Sequence, residues 1–138
     1  METNCRVLVV ENYPALSHML RSILRDIGFR EVDQASDGTA ALATLRSDTY
    51  GLIFSDLNME PMSGMQLLRE VRADPKLKSL PFIVISGTGS STQILDAKNG
   101  GASDYIVKPF TIDTVRKKIA GIVLCGPVNK FGTGALGS

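Results

Sequence analysis

Five short apolar runs alternate with helical patterns along most of the sequence: Val7-Leu8-Val9-Val10, Val32 to Ala35, Leu52-Ile53-Phe54, Phe82 to Ile85 and Tyr105-Ile106-Val107. Each is too short for a helix and largely lacks the polar alternation of a half-exposed strand, so each predicts a buried parallel strand. Between the first two, Leu16, Met19, Leu20, Ile23, Leu24 and Ile27 recur at three- and four-residue steps, with Pro14 suited to the first turn and Gly28 to the C-cap. Asp37-Gly38 opens a second helix with Ala41, Leu42 and Leu45 inward, and Ser63-Gly64 a third with Leu67, Leu68 and Val71 inward. Ser90-Ser91 opens a fourth containing Ile94 and Leu95, and a fifth uses Ile112, Val115, Ile119, Ile122 and Val123. A strand followed by a helix, five times over, predicts an α/β fold: an open, doubly wound five-stranded parallel sheet with five helices on its two faces.

The chain has 138 residues, room for one ordinary domain, and its 43% hydrophobic and 21% charged content is that of a globular protein. Fifteen basic against fourteen acidic residues leave a net charge of +1, so no global field exists to hold the chain on a nucleic acid or an anionic membrane, and neither is expected as a partner. The longest apolar run, Ile119 to Cys125, is far short of the roughly 18 to 20 residues that span a bilayer. The first residues show no basic leader before a long apolar core, so a cytoplasmic location is the expectation. Cys5 and Cys125 form no C-x-x-C or zinc pattern and are expected as reduced thiols. After Leu124 the composition turns to glycine and polar residues, which divides the chain into a domain over 1–125 and a flexible Gly-rich tail over 126–138.

Ligands of open parallel sheets sit outside the carboxyl ends of the strands. The residues leaving the strands are Glu11-Asn12 after the first, Asp56 after the third, Ser86 after the fourth and Lys108 after the fifth. Acidic groups brought close together repel by several kcal/mol at an effective dielectric near 20, unless a cation or a proton intervenes. A hard divalent cation with oxygen ligands, Mg2+ by preference, answers that need. The ammonium and the hydroxyl suit a phosphoryl group, which leaves Asp56 as a carboxylate nucleophile able to take that group as an acyl phosphate.

The set resembles the receiver domains of two-component response regulators, of which the bacterial chemotaxis response regulator is the stand-alone type. The resemblance runs from about Arg6 to Val123. It is carried by the acidic turn Glu11-Asn12, the segment Asp56-Leu-Asn-Met-Glu-Pro-Met-Ser-Gly64, the turn Ile85-Ser86-Gly87 and Lys108-Pro109-Phe110. It implies a flavodoxin-like sheet in the order 2-1-3-4-5 and a regulatory phosphoacceptor rather than an enzyme with its own substrate. By the same resemblance Asp56 is the phosphoacceptor, Glu11 and Asn12 belong to the metal site with Asp56, and Asn58 is a metal ligand through its carbonyl. Ser86 is the phosphate-sensing hydroxyl, Tyr105 the aromatic switch that turns inward, and Lys108 the phosphate ion pair preceding a cis peptide to Pro109. Gly87 leaves the acyl phosphate open, and Asn58 and Thr88 tune its hydrolysis. The implied partners are a histidine kinase or histidine phosphotransfer protein as donor, and a protein target met by the fourth helix, fifth strand and fifth helix.

Two departures stand out. Where the family usually has two acids, Asn12 is a neutral amide, so a lower Mg2+ affinity is expected, while Glu11 is a methylene longer than the usual aspartate and has the reach to ligate the metal itself. Glu60-Pro61 shifts the family proline by one position; Glu60 reads either as a partner or hydrolysis determinant or as a solvated loop acid. His18 reads as a solvated or packing residue, and the Gly87 to Ser91 loop lacks the ending of a P-loop.

The leading expectation is a phosphorylation-controlled signalling module that signals by protein contact. The alternative, motivated by Asn12, is a degenerate receiver acting as a phosphorylation-independent interaction module. A metal-dependent phosphatase is disfavoured by Asn58, where a second aspartate would stand, and by the lack of a cap or substrate domain.

Overall fold

The computed structural model describes residues 3–59, 62–87 and 90–122. Strands β1 (Thr3–Val10), β2 (Phe29–Ala35), β3 (Leu52–Asp56), β4 (Phe82–Ser86) and β5 (Asp104–Val107) alternate with helices α1 (Pro14–Ile27), α2 (Gly38–Ser47), α3 (Gly64–Ala73), α4 (Ser91–Asn99) and α5 (Ile112–Ala120). The strands form one sheet in the order β2-β1-β3-β4-β5, every neighbour parallel. The expected doubly wound architecture is therefore the observed one.

Side chains of successive residues in a strand point to opposite faces, and the core divides accordingly. Leu8 and Val10 face a cluster with Ala41, Leu45, Leu67 and Val71, placing α2 and α3 on one side with Ala97 of α4. Val7 and Val9 face the other cluster, built with Leu20 and Leu24 of α1 and Val115 and Ile119 of α5. All five residues of β3 and of β4 are buried, as the unbroken apolar runs required.

The helices start where the sequence supplies caps. Asp37 accepts from the backbone N–H of Ala40 at 2.9 Å, Thr111 accepts from Thr114 at 3.2 Å, and Ser63 and Gln66 form a reciprocal capping box. Tyr13 makes no side-chain cap, and Pro14 opens α1 in its place. Gly28 ends that helix at φ 131°, a left-handed conformation that a Cβ would strain.

Several local expectations are corrected. β1 and β2 begin earlier than their apolar runs, because polar residues at a sheet's amino edge still pair through the backbone. Met19, a member of the three- and four-residue stripe of the first helix, is 41% exposed, and Leu95 of the fourth is 56% exposed. Each lies one step off the stripe that meets the sheet. Cys5, expected as a reduced thiol, is disulfide-bonded; Cys125 lies outside the described residues. Cys5 is buried in the cluster that α1 and α5 build on one face of the sheet. Glu60, Pro61, Thr88, Val123 and the segment 126–138 also lie outside the described residues. Among those described, no helix is long and apolar enough to cross a membrane.

Candidate functional site

The parallel register delivers the chemistry-bearing residues to one edge. Asp56, the last residue of β3, pairs with Ile85, and Ser86, the last of β4, pairs with Val107, so β5 carries the chain on to Lys108. The ladder continues past the strand ends: Glu11 N–H donates to Ala35 O at 3.1 Å, and Lys108 N–H donates to Ser86 O at 2.8 Å. Backbone pairing therefore fixes where Glu11 and Lys108 leave the sheet. The Lys108–Pro109 peptide is cis, as the resemblance implied, and Phe110 packs into the cluster shared by α1 and α5.

Lys108 Nζ lies 3.1 Å from Asp56 Oδ2 and 3.5 Å from Glu11 Oε1. Asp56 and Glu11 are 3% and 1% exposed, so one ammonium stands between two carboxyls that water scarcely reaches. Asp56 Oδ1 accepts from Asn58 N–H at 3.1 Å and Glu11 Oε2 from Tyr13 N–H at 3.2 Å. Glu11 Oε1 receives no hydrogen bond. Burial pushes the Glu11 carboxyl above the usual carboxylate range, against the Tyr13 N–H that favours its charged form, and Asp56 pushes it further the same way.

A cation fits here. The site holds one positive group against two acids, a buried carboxylate oxygen lacks a hydrogen-bond donor, and the donor atoms are all oxygens. Glu11 and Asp56 are the anionic ligands available. Asn12 and Asn58 are exposed and line a cavity of about 420 Å³ at the mouth, with Leu57, Met59 and Ser63. Among the described residues the site gathers two acids and no cluster of three or more His, Cys, Asp or Glu, and Asn12 stands at the turn beside Glu11.

Of the other expected site residues, Ser86 is fully buried and its hydroxyl donates to Gln93 Oε1 of α4 at 3.3 Å. Tyr105 is not turned inward: the residue is 37% exposed, with Lys118 Nζ 4.3 Å from the ring centroid. Gly87 is exposed, and a Cβ there would meet only the stem of Lys108 at 4.0 Å, so its missing side chain leaves the approach to the lysine open. Thr88 lies outside the described residues. His18 is exposed on α1.

Three residues at or beside the site escaped sequence reasoning. Gly64 opens α3 against the backbone of Asp56 and Leu57, Gln93 holds Ser86, and Lys118 holds Tyr105. Gly64 stood within the recognised segment; nothing local in the sequence marks the contacts that Gln93 and Lys118 make.

The fold and this cluster define a class. The family model of the response regulator receiver domain matches residues 7–120, and the chain belongs to that family. It is 38% identical over 117 residues to the chemotaxis protein CheY of Pseudomonas aeruginosa, covering 85% of this chain and 94% of that one. CheY-3 of Vibrio cholerae is 35% identical over 119 residues, 86% of this chain and 92% of its own. Among solved structures, CheY4 of Vibrio cholerae superposes with a TM-score of 0.81 at 30% identity, over 88% of this chain and all of that one. A putative response regulator from Chloroflexus aurantiacus gives a TM-score of 0.82 at 25% identity, over 86% and 97% of the two chains. The protein is thus a CheY-like receiver domain, a regulatory module of two-component signalling.

Proposed function

We propose that Asp56 accepts a phosphoryl group from a phosphohistidine on a histidine kinase or histidine phosphotransfer protein, in the cytoplasm, and that the protein then signals by contact with a target protein. The observation that carries the reading is the buried Asp56 carboxylate at the end of β3 with the Lys108 ammonium 3.1 Å from it. An Asp56 oxygen attacks phosphorus, the new P–O bond replaces the P–N bond of the donor, and the imidazole nitrogen leaves with its electron pair. Lys108 balances charge on the transferring oxygens, and the Ser86 hydroxyl donates to one of them. Mg2+, when bound by Glu11, Asp56 and the Asn58 carbonyl with Asn12 at the rim, supplies charge neutralisation of the phosphoryl oxygens. Gly87 leaves water and partner proteins a path to the acyl phosphate.

The target surface is the face of α4, β5 and α5. There Leu95 and Tyr105 stand exposed beside a cavity of about 320 Å³ lined by Ile94, Ala97, Lys98, Ala102 and Tyr105 among others. Occupancy of Asp56 reaches this face through Ser86 and Tyr105, which shift its population toward another conformation.

Intact-mass analysis after incubation with phosphoramidate, with and without Mg2+, tests the reading. One Mg2+-dependent phosphate on the parent and none on Asp56→Asn is the expected result. A second reading is favoured by Asn12, which leaves the site two acids: a receiver that works as a phosphorylation-independent interaction module. No adduct at any Mg2+ concentration would select it.

A further inference from the structure

Ser86 closes β4 fully buried, and its hydroxyl proton is given to Oε1 of Gln93 in the first turn of α4. A serine hydroxyl has one proton to donate. A phosphoryl group on Asp56 presents acceptor oxygens, so the Ser86 proton can serve Gln93 or the phosphoryl group but not both. The two hydrogen bonds exclude each other, and one of them ends on a helix.

That helix is lightly fixed. α4 buries one residue, Ala97, whereas each of the other four helices buries two or more. An element with few buried contacts opens at low free energy, so a tertiary hydrogen bond in its first turn weighs heavily on it. Gln93 is well placed to carry the effect: its backbone N–H donates to the N-cap Ser90 Oγ at 3.4 Å, and Ile94 N–H donates to Ser90 O at 3.0 Å. Whatever releases the Gln93 side chain therefore acts on the capping turn.

We infer that Gln93 is the positioning residue that ties α4 to the phosphate-sensing hydroxyl, and that a phosphoryl group on Asp56 frees α4 by taking the Ser86 proton from it. The inference rests on the phosphoacceptor reading of Asp56 and names the contact through which that site governs its own signalling face. It also assigns Gln93 a kinetic part. Because Ser86 must leave Gln93 before it can stabilise the incoming group, the resting contact slows phosphorylation.

The test is a double-mutant cycle on the full chain, with Gln93→Leu, Ser86→Ala and both together, read by amide hydrogen exchange without phosphodonor. Each single change is expected to speed exchange in α4 about five-fold, the factor set by one net hydrogen bond, while β1 and β3 stay unchanged. The double variant should exchange no faster than either single one, and Gln93→Glu, which keeps an acceptor, should exchange like the parent. In the second arm, phosphoramidate with Mg2+ should phosphorylate Gln93→Leu faster than the parent, and phosphorylation should speed α4 exchange in the parent but not in Gln93→Leu. Additive single effects, unchanged α4 exchange in Gln93→Leu, or slower phosphorylation of that variant would each overturn the inference. If the parent takes no phosphate, the phosphoacceptor reading falls, and the first arm still decides whether Gln93 holds α4 through Ser86.

Discussion

At Gly64 an added methyl group would overlap the carbonyl oxygen of Asp56 and stand 2.8 Å from Leu57 Cα, both of them backbone atoms of the strand end that carries the proposed phosphoacceptor. No flexible side chain is there to yield, so the cost falls on the site itself. Gly64→Ala is expected to lower stability by about 3 kcal/mol, the upper range for overpacking, and urea unfolding measures it. The same substitution should slow phosphoryl acceptance by displacing Asp56 from Lys108; a variant unfolding at the parent's urea midpoint would refute this. Gly87 behaves oppositely, since its missing Cβ would meet one flexible lysine stem. Two glycines in recognised segments thus serve different ends, one packing and the other access.

In the proposed signalling face the short β5 leans on its partner α5. Lys118 of α5 reaches back to β5, where its ammonium is 3.0 Å from Asp104 Oδ1 and 4.3 Å from the centroid of the Tyr105 ring. Asp104 orients the lysine and the lysine holds the ring outside, so an inward rotation of Tyr105 forfeits the cation–π contact. Lys118→Met keeps the stem and removes the charge. The inward population of Tyr105 in the resting protein should rise about three-fold, the scale of a half-exposed cation–π contact. Fluorotyrosine NMR, with the resonance assigned through Tyr105→Phe, reads it, and an unmoved resonance would show that Lys118 has no hold on the ring.

Across the whole molecule the two ends of the sheet are electrostatically unlike. The carboxyl end gathers buried acids around Lys108, whereas toward the amino end Arg6 donates to Asp33 Oδ2 at 2.8 Å and stacks 4.6 Å over the Tyr50 ring. Tyr50 donates its phenolic proton to the same oxygen at 2.7 Å, and that hydrogen bond, with Arg6, holds the Asp33 carboxyl below the usual carboxylate range. Burial, with Asp33 beside it, pushes the Tyr50 hydroxyl up to about 12. The depressed carboxyl contributes stability above the ordinary aspartate pKa and loses it as pH falls through its folded value. The raised phenol contributes below pH ~10 and loses it as pH climbs toward 12. Urea midpoints across pH should therefore show Asp33→Asn less stable than the parent at pH 7 and level with it in strong acid. Tyr50→Phe should lose the alkaline fall, and a parallel displacement of either curve at all pH would contradict the assignment.

The division between sequence and tertiary structure follows from the range of the forces involved. Strand identity, helix phase and most caps rest on neighbours a few residues apart, so Val7 to Val10, Leu20 and Leu24, or Asp37 and Ser63 could be read directly. Parallel winding then places every strand's carboxyl end on one edge, which is why Glu11, Asp56, Ser86 and Lys108 were legible as a set before any distance was known. The contacts that surround such a set were not legible. Gln93 meeting Ser86, Lys118 meeting Tyr105 and α3 pressing Gly64 onto Asp56 join elements whose separation in space depends on how helices pack over the sheet. The exposure of Met19 and Leu95 has the same origin, because a helical stripe gives a face to within one residue and only the sheet beneath decides which edge of it is covered. The sequence by itself determined the architecture and the acids, hydroxyl and lysine at its edge; tertiary packing decided which neighbours hold those groups, since a hydrogen bond or a cation–π contact depends on ångströms that no periodicity encodes.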